Sequence, residues 1–207
     1  MTKCRLCQNH TNYLFSEKVL HKHTVKYFLC QKCESIQAED PFWLEESYDK
    51  SINLSDTGII QRNISLSKIV SLFLFLLRLS GNNRVFLDFG GGYGIFTRLM
   101  RDVGFDYYWE DAFSENYLAR GFEGRAPHYD AITCFEVFEH LVYPGKSISN
   151  MVSRSNIIIF TTLLYGNTPP NHKEWEYYAF SHGQHIHFYN INTLEHIAKS
   201  SGLNLLS

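Results

Sequence analysis

The chain has 207 residues, 44% of them hydrophobic and 15% aromatic, enough to bury a sizeable core and too apolar for a disordered chain. Its 19 basic and 21 acidic residues leave a formal charge of −2 with no long run of either sign, which argues against a large nucleic-acid footprint. The polar opening around Lys3, Arg5, Asn9 and His10 has no apolar core, so no signal peptide is expected, and the most apolar window, Ile69 to Leu79, is about half of the roughly 20 residues that span a bilayer. A cytoplasmic protein with no membrane partner is expected.

Residues 1–38 carry two Cys-x2-Cys pairs, Cys4 with Cys7 and Cys30 with Cys33, separated by 22 residues, with a strand-like segment from Thr24 to Leu29 before the second pair. That spacing is close to a zinc ribbon, in which two knuckles present four thiolates tetrahedrally and leave no open position for water. A structural zinc ion is expected, since about 38 residues are too few to fold on their own core and metal binding supplies the missing free energy. Two disulfides or an iron–sulfur cluster are the alternatives. His10, His21 and His23 are expected on the surface, and Cys134 as a small buried hydrophobe.

Asp40-Pro41 breaks the chain, and residues 39–64 read as a linker. A domain then runs over 65–207. Leu66, Ile69, Val70, Phe73, Leu76 and Leu77 recur at helical spacing from Ser65 to Ser80, with a stop at Gly81-Asn82-Asn83. Val85 to Phe89 is a buried strand ending in glycines, and Ile95 to Val103 a helix. Further strands are expected at 105–109, 131–137 and 156–162, a helix at 192–201 stopped by Gly202, and a last strand beginning at 203–206. Strands alternating with helices imply an α/β, doubly wound, Rossmann-like sheet whose ligands lie beyond the carboxyl ends of its strands.

The most informative segment is Leu87-Asp88-Phe89-Gly90-Gly91-Gly92-Tyr93-Gly94-Ile95. Gly90 and Gly92 permit positive φ and close ligand approach, and the following helix aims unpaired N–H groups at the turn. A dinucleotide fingerprint fails, because its third glycine would fall on Ile95, and a phosphate loop fails for want of a lysine. The pattern Asp88, Gly90, Gly92, Gly94 resembles the first motif of class I S-adenosylmethionine-dependent methyltransferases. That resemblance implies S-adenosylmethionine as cofactor and an acid for its ribose hydroxyls at the end of the next strand. Asp111 matches that position, with Glu110 as the alternative.

The run Tyr129 to Leu141 is similar to the family's fourth-strand motif, closing in Glu139-His140. Within it Glu136 either contacts the cofactor or caps the strand. The resemblance spans roughly residues 65–206, and it implies a terminal strand hairpin that Ser207 would leave incomplete, so a truncated chain or a missing seventh strand is expected.

The N-terminal cysteines, with Trp175 to Tyr178 and Gly183 to Tyr189, are similar to methyltransferases acting on sugars, including C-methyltransferases. Removing a proton from such an acceptor calls for a base, and His140, His182, His185 and His187 are the candidates. His185 is favoured, because Gly183-Gln184 lets the backbone approach a ligand, with His187 close behind. Glu139 orients His140 or acts itself, and Tyr177, Tyr178 and Tyr189 line an acceptor pocket or belong to the core. The expected function is methyl transfer to a small-molecule acceptor. A methyltransferase acting on RNA or protein, or a scaffold that keeps the fold without catalysis, are the competing readings.

Overall fold

The computed structural model describes residues 2–48, 56–81 and 83–206. The middle of the expected linker, 49–55, and Asn82 of the expected helix stop lie outside the described residues. In chain order the elements are β1 (Thr11–Val19), β2 (His23–Cys30), β3 (Ile36–Ala38), α1 (Leu44–Ser47), α2 (Ile59–Leu76), β4 (Val85–Phe89), α3 (Ile95–Asp102) and β5 (Asp106–Glu110). They continue with β6 (Ala131–Phe135), α4 (Pro144–Arg154), β7 (Ile158–Thr161), β8 (His187–Phe188) and α5 (Ile191–Ser200). Single 3-10 turns form at Phe138–His140 and Glu176–Tyr178.

The chain divides into two compact units, one of Lys50–Phe135 with Met151–Phe160, the other of Met1–Asp49, Glu136–Asn150 and Thr161–Ser207. The first unit is built on the parallel sheet β5-β4-β6-β7, as the alternation of strands and helices requires. From β4 the chain steps outward to β5 and then to β6 on the opposite side of β4, so the strand order reverses between β4 and β6. A crevice for a ligand opens at such a switch point, beyond the carboxyl ends of the strands. Val70 and Leu74 of α2 are buried with Phe86, Phe96, Met100, Tyr107 and Ala131.

The helix α2 begins at Ile59, six residues before the expected start, and its 18 residues are long and apolar enough, by length and composition, to cross a membrane. It ends at Leu76, four residues before the expected Ser80, with no glycine at the turn that closes it. Arg78 takes a left-handed φ of 58°, while Arg78 N–H donates to the Phe75 carbonyl and Leu79 N–H to that of Leu74. These two bonds form a Schellman cap, with arginine where glycine is usual.

In the second unit an antiparallel sheet of order β1-β2-β3-β8 pairs Thr11 with Cys30 at one end and Val19 with His23 at the other. Its core holds Phe15, Val19, Val25, Tyr27, Ile36, Trp43, Tyr178, Ile186 and Phe188. His187, one of the candidate bases, lies with Phe188 in a sheet strand, pairing Ile36 with Phe188 and Gln37 with His187. No strand forms over residues 203–206, where the expected last strand would begin; Leu203 N–H donates to the Ala198 carbonyl behind α5, as a helix end does.

Candidate functional site

In the parallel-sheet unit the site begins where β4 runs out. Gly90, Gly92 and Gly94 have φ of 72°, 52° and 85°, a region closed to most L residues, and Gly94 forms the N-cap of α3. A Cβ on Gly94 would come within 3.0 Å of Ala119 and Asn116, whereas one on Gly92 would meet nothing within 4 Å. The turn is thus packed behind Gly94 and open in front of Gly92. At Gly91 a Cβ would strike Trp109 at 2.7 Å and the Asp88 carboxylate at 2.8 Å. Asp88, Gly90, Gly92 and Gly94 are brought together as the motif expects.

Asp88 is only 2% exposed, and its oxygens accept from the hydroxyls of Thr97 (3.0 Å) and Thr133 (3.2 Å). Burial raises its carboxyl to about 7, with the two threonine bonds acting the other way. It therefore braces the turn from below. Thr97 and Thr133 carry no signal in the sequence, since single threonines in a helix and a strand form no pattern.

The two acids after β5 separate clearly. Glu110 forms a bidentate pair with Arg154 at 3.0 and 2.8 Å. Asp111 instead accepts from the N–H of Gly92 at 2.9 Å through one oxygen, and from those of Phe113 and Ser114, both at 2.8 Å, through the other. The indole of Trp109 adds a bond to the Gly92 carbonyl at 2.8 Å. Of the adjacent pair, Asp111 is the one at the glycine turn.

In the second unit Glu136 leaves the strand direction with φ 53°, which ends β6 two residues earlier than expected. Its N–H and its carboxylate both engage the Thr161 hydroxyl, at 3.1 and 2.7 Å. Three residues on, Glu139 is fully buried; Thr162 donates to its Oε2 at 3.2 Å, the Tyr177 hydroxyl also bonds the carboxylate, and Oε1 has no hydrogen-bond partner among the described residues. Burial, and then the charge of Glu136, raise the Glu139 carboxyl to about 7.

His140 and His185 meet edge to face, with ring centroids 4.9 Å apart. Burial lowers His140 to about 4 and His185 to about 3, and each ring is disfavoured further by neighbouring histidine. Both are neutral lone-pair donors at neutral pH, far from the matched pKa of a general base. His182 lies beside His185 at 5.1 Å and is lowered by burial as well. His187 is fully buried in β8, and neither ring nitrogen makes a well-formed hydrogen bond among the described residues, although the Leu141 backbone interacts with the ring.

Gly183 has a different use from the one expected. Its φ is 68°, a Cβ there would strike Val19 at 2.6 Å, and its carbonyl accepts from the Trp43 indole at 2.9 Å. The backbone approaches its own core at this point.

The four N-terminal sulfurs converge, all within 4.8 Å of one another. Cys4 lies 3.7 Å from Cys33, and Cys7 3.5 Å from Cys30, near the roughly 3.8 Å edge of a tetrahedron with 2.3 Å metal–sulfur bonds. Cys33 hydrogen-bonding holds the Cys4 thiol down, to about 4. The N–H groups of Cys7, Lys32 and Cys33 and the Ser35 hydroxyl point at the sulfurs, as outer partners of metal thiolates do. These residues fit a tetrahedral metal. His10 and His21 are exposed, and His23 bonds Glu46 at 3.1 Å, so none competes as a ligand.

The family described as "Methyltransferase domain" matches residues 61–207. No curated protein matches the sequence. Among solved structures, the chain is similar to magnesium protoporphyrin IX methyltransferase from Synechocystis PCC 6803 with bound SAH, at 15% identity and TM-score 0.47 over 79% of this chain and 84% of that one. It is also similar to phosphoethanolamine N-methyltransferase 2 from Haemonchus contortus, at 19% identity and TM-score 0.47, covering 64% of this chain and 36% of that one. A plantazolicin methyltransferase in complex with SAH gives 15% identity and TM-score 0.44 over 76% and 67%.

Proposed function

Because the chain belongs to the methyltransferase-domain family, we propose that it transfers a methyl group from S-adenosylmethionine to a small-molecule acceptor, a sugar or nucleotide-sugar. One observation carries the cofactor reading: a bare glycine turn at the sheet's switch point, open at Gly92, with the Asp111 carboxylate on its backbone. These residues fit a nucleoside that needs close backbone approach and an acid for its ribose. S-adenosylmethionine supplies a methyl group already activated by its sulfonium. The chain's own task is to hold the nucleoside, align the acceptor and keep the reacting atoms in line.

For the acceptor, support comes from the absence of a basic excess, which disfavours RNA, and from the likeness of the Trp175–Tyr178 and Gly183–Tyr189 stretches to sugar methyltransferases. Among the candidate histidines, His140 and His185, joined by Glu139, form the acceptor-handling group. We also read the four cysteines as holding one structural zinc ion, supported by their tetrahedral spacing.

The test is mass spectrometry of natively purified protein for S-adenosylmethionine or its demethylated product, followed by calorimetry and a screen of nucleotide-sugars with bulk RNA alongside. Adenosyl binding with methylation of a nucleotide-sugar is expected. Failure to bind any adenosyl compound overturns the enzyme reading, and methylation of RNA alone overturns the acceptor.

A further inference from the structure

We propose that Glu139, His140 and His185 form a binding site for one divalent transition-metal ion, made of other residues than the four-cysteine cluster. One ligand atom from each of the three lies within 4.8 Å of the other two. Chain chemistry prepares each atom for a cation.

Backbone carbonyls hold the two imidazoles. His140 Nδ1 sits 3.1 Å from the Gln184 carbonyl, and His185 Nδ1 sits 2.7 Å from the Tyr177 carbonyl. A carbonyl only accepts, so His185 Nδ1 carries the proton and its Nε2 keeps a lone pair; His140 Nδ1 has the Tyr48 hydroxyl at 3.1 Å beside the Gln184 carbonyl, and the tautomer that donates to that carbonyl likewise leaves Nε2 a lone pair. Metal-bound histidines show this arrangement, with the second ring nitrogen donating to a backbone carbonyl that sets the ring's orientation. Burial keeps both rings neutral, the form that ligates.

Glu139 supplies the third donor. Thr162 orients its Oε2 at 3.2 Å and the Tyr177 hydroxyl also bonds the carboxylate, while the buried Oε1 has no hydrogen-bond partner among the described residues. A buried carboxylate oxygen left unmatched beside two neutral nitrogens is a cost the fold bears for nothing unless a cation meets it. Glu136 adds negative charge nearby, felt in the raised Glu139 carboxyl.

The donor set selects the ion. Two imidazoles and one carboxylate suit Zn²⁺, Fe²⁺ or Co²⁺; the lack of thiolate disfavours Cu⁺, and the shortage of oxygens disfavours Ca²⁺ and Mg²⁺. Bonds of about 2.1 Å would draw the donors inward by about an ångström. Three protein ligands leave positions open, and an oxygen ligand fills them. That this oxygen is the acceptor's hydroxyl or carbonyl rests on the proposed methyl transfer; the cation site itself does not.

The test uses the full chain, stripped of metal, given one equivalent of Zn²⁺ for the thiolates and then titrated with Co²⁺. A second equivalent with visible d–d bands, no sulfur charge-transfer band and two paramagnetically shifted exchangeable imidazole proton resonances is expected. His140→Ala, His185→Ala and Glu139→Gln should each weaken that equivalent by about 10- to 100-fold or more. No second equivalent, a second equivalent without shifted imidazole protons, or equal uptake by folded variants overturns the proposal. The shifted protons are read on the wild-type chain, so they decide the matter even where a variant fails to fold. S-adenosylmethionine titration of the same samples separates the two readings. Cofactor binding without the second cation sinks only the metal site, and the reverse sinks only the methyl transfer.

Discussion

The Asp111 carboxylate accepts a hydrogen bond from the Gly92 backbone N–H at 2.9 Å, tying the end of β5 to the turn that follows β4. The neighbouring Glu110 turns away to Arg154. Two adjacent acids thus have separate duties, and substitution should tell them apart. Asp111→Ala should cost about 1–3 kcal/mol through three orphaned N–H groups and weaken S-adenosylmethionine at least tenfold. Glu110→Gln should cost about 1 kcal/mol or less, since the pair is partly exposed, and leave cofactor affinity unchanged. Chemical denaturation with calorimetry on both variants checks this.

The glycines divide in the same way. Gly94→Ala places a Cβ 3.0 Å from Ala119 at φ 85°, and should lower stability by about 1–2 kcal/mol or more. Gly92→Asp extends into open space, and aspartate tolerates a left-handed φ, so this variant should fold nearly normally and yet lose cofactor binding. Melting curves beside calorimetry read both effects, and normal affinity in Gly92→Asp would count heavily against the site.

Asp88 should make stability depend on pH with an unusual sign. Its folded carboxyl sits at about 7, above an ordinary value of 3.8, so between these the folded state holds a proton that the unfolded state has released. Stability then falls as pH rises from about 4 to about 7, by an amount on the order of a few kcal/mol, and is flat with respect to this group on either side. Asp88→Asn should remove that slope in denaturation curves taken across the window. A slope that survives the substitution belongs to another group.

Chelation of zinc, or Cys30→Ser, should loosen the antiparallel sheet, because Cys30 ends β2 opposite Thr11. An apparent metal-binding free energy on the order of 10 kcal/mol is at stake. Amide hydrogen exchange should show lost protection over 11–38 while β4 and β6 keep theirs. Less than one zinc per chain in native metal analysis rejects the ribbon.

Sequence patterning located the parallel sheet well, because β4 is apolar except for Asp88 and is followed at once by glycines, and its boundaries, Val85–Phe89, are those observed. The glycine turn was legible for the same reason that it works: three positive φ values so close together favour glycine. What escaped has identifiable causes. A bulge between Tyr13 and Phe15 breaks the alternation of β1, burying residues 11, 15 and 19, and the turn after it uses Leu20 and His21 at positive φ, with no glycine or asparagine to mark it. The Pro144-Gly145 that opens α4 reads as a turn, although proline suits a first helical position. Glu139 was legible as a motif residue, but its unpartnered oxygen depends on packing from Thr162, 23 residues on, which no local pattern encodes.

The pairing of Gln37 with His187 spans 150 residues (187 − 37) of chain. At ribosomal rates of about 5–20 residues per second, β3 emerges roughly eight to thirty seconds before the partner that covers its edge. Until then its free side is open to strands of other molecules, and early capture of the proposed zinc by Cys4, Cys7, Cys30 and Cys33 would help the β1–β2 ladder hold the hairpin in register. Metal supply during synthesis, more than the final stability of the molecule, should therefore govern how much of this protein reaches its native state.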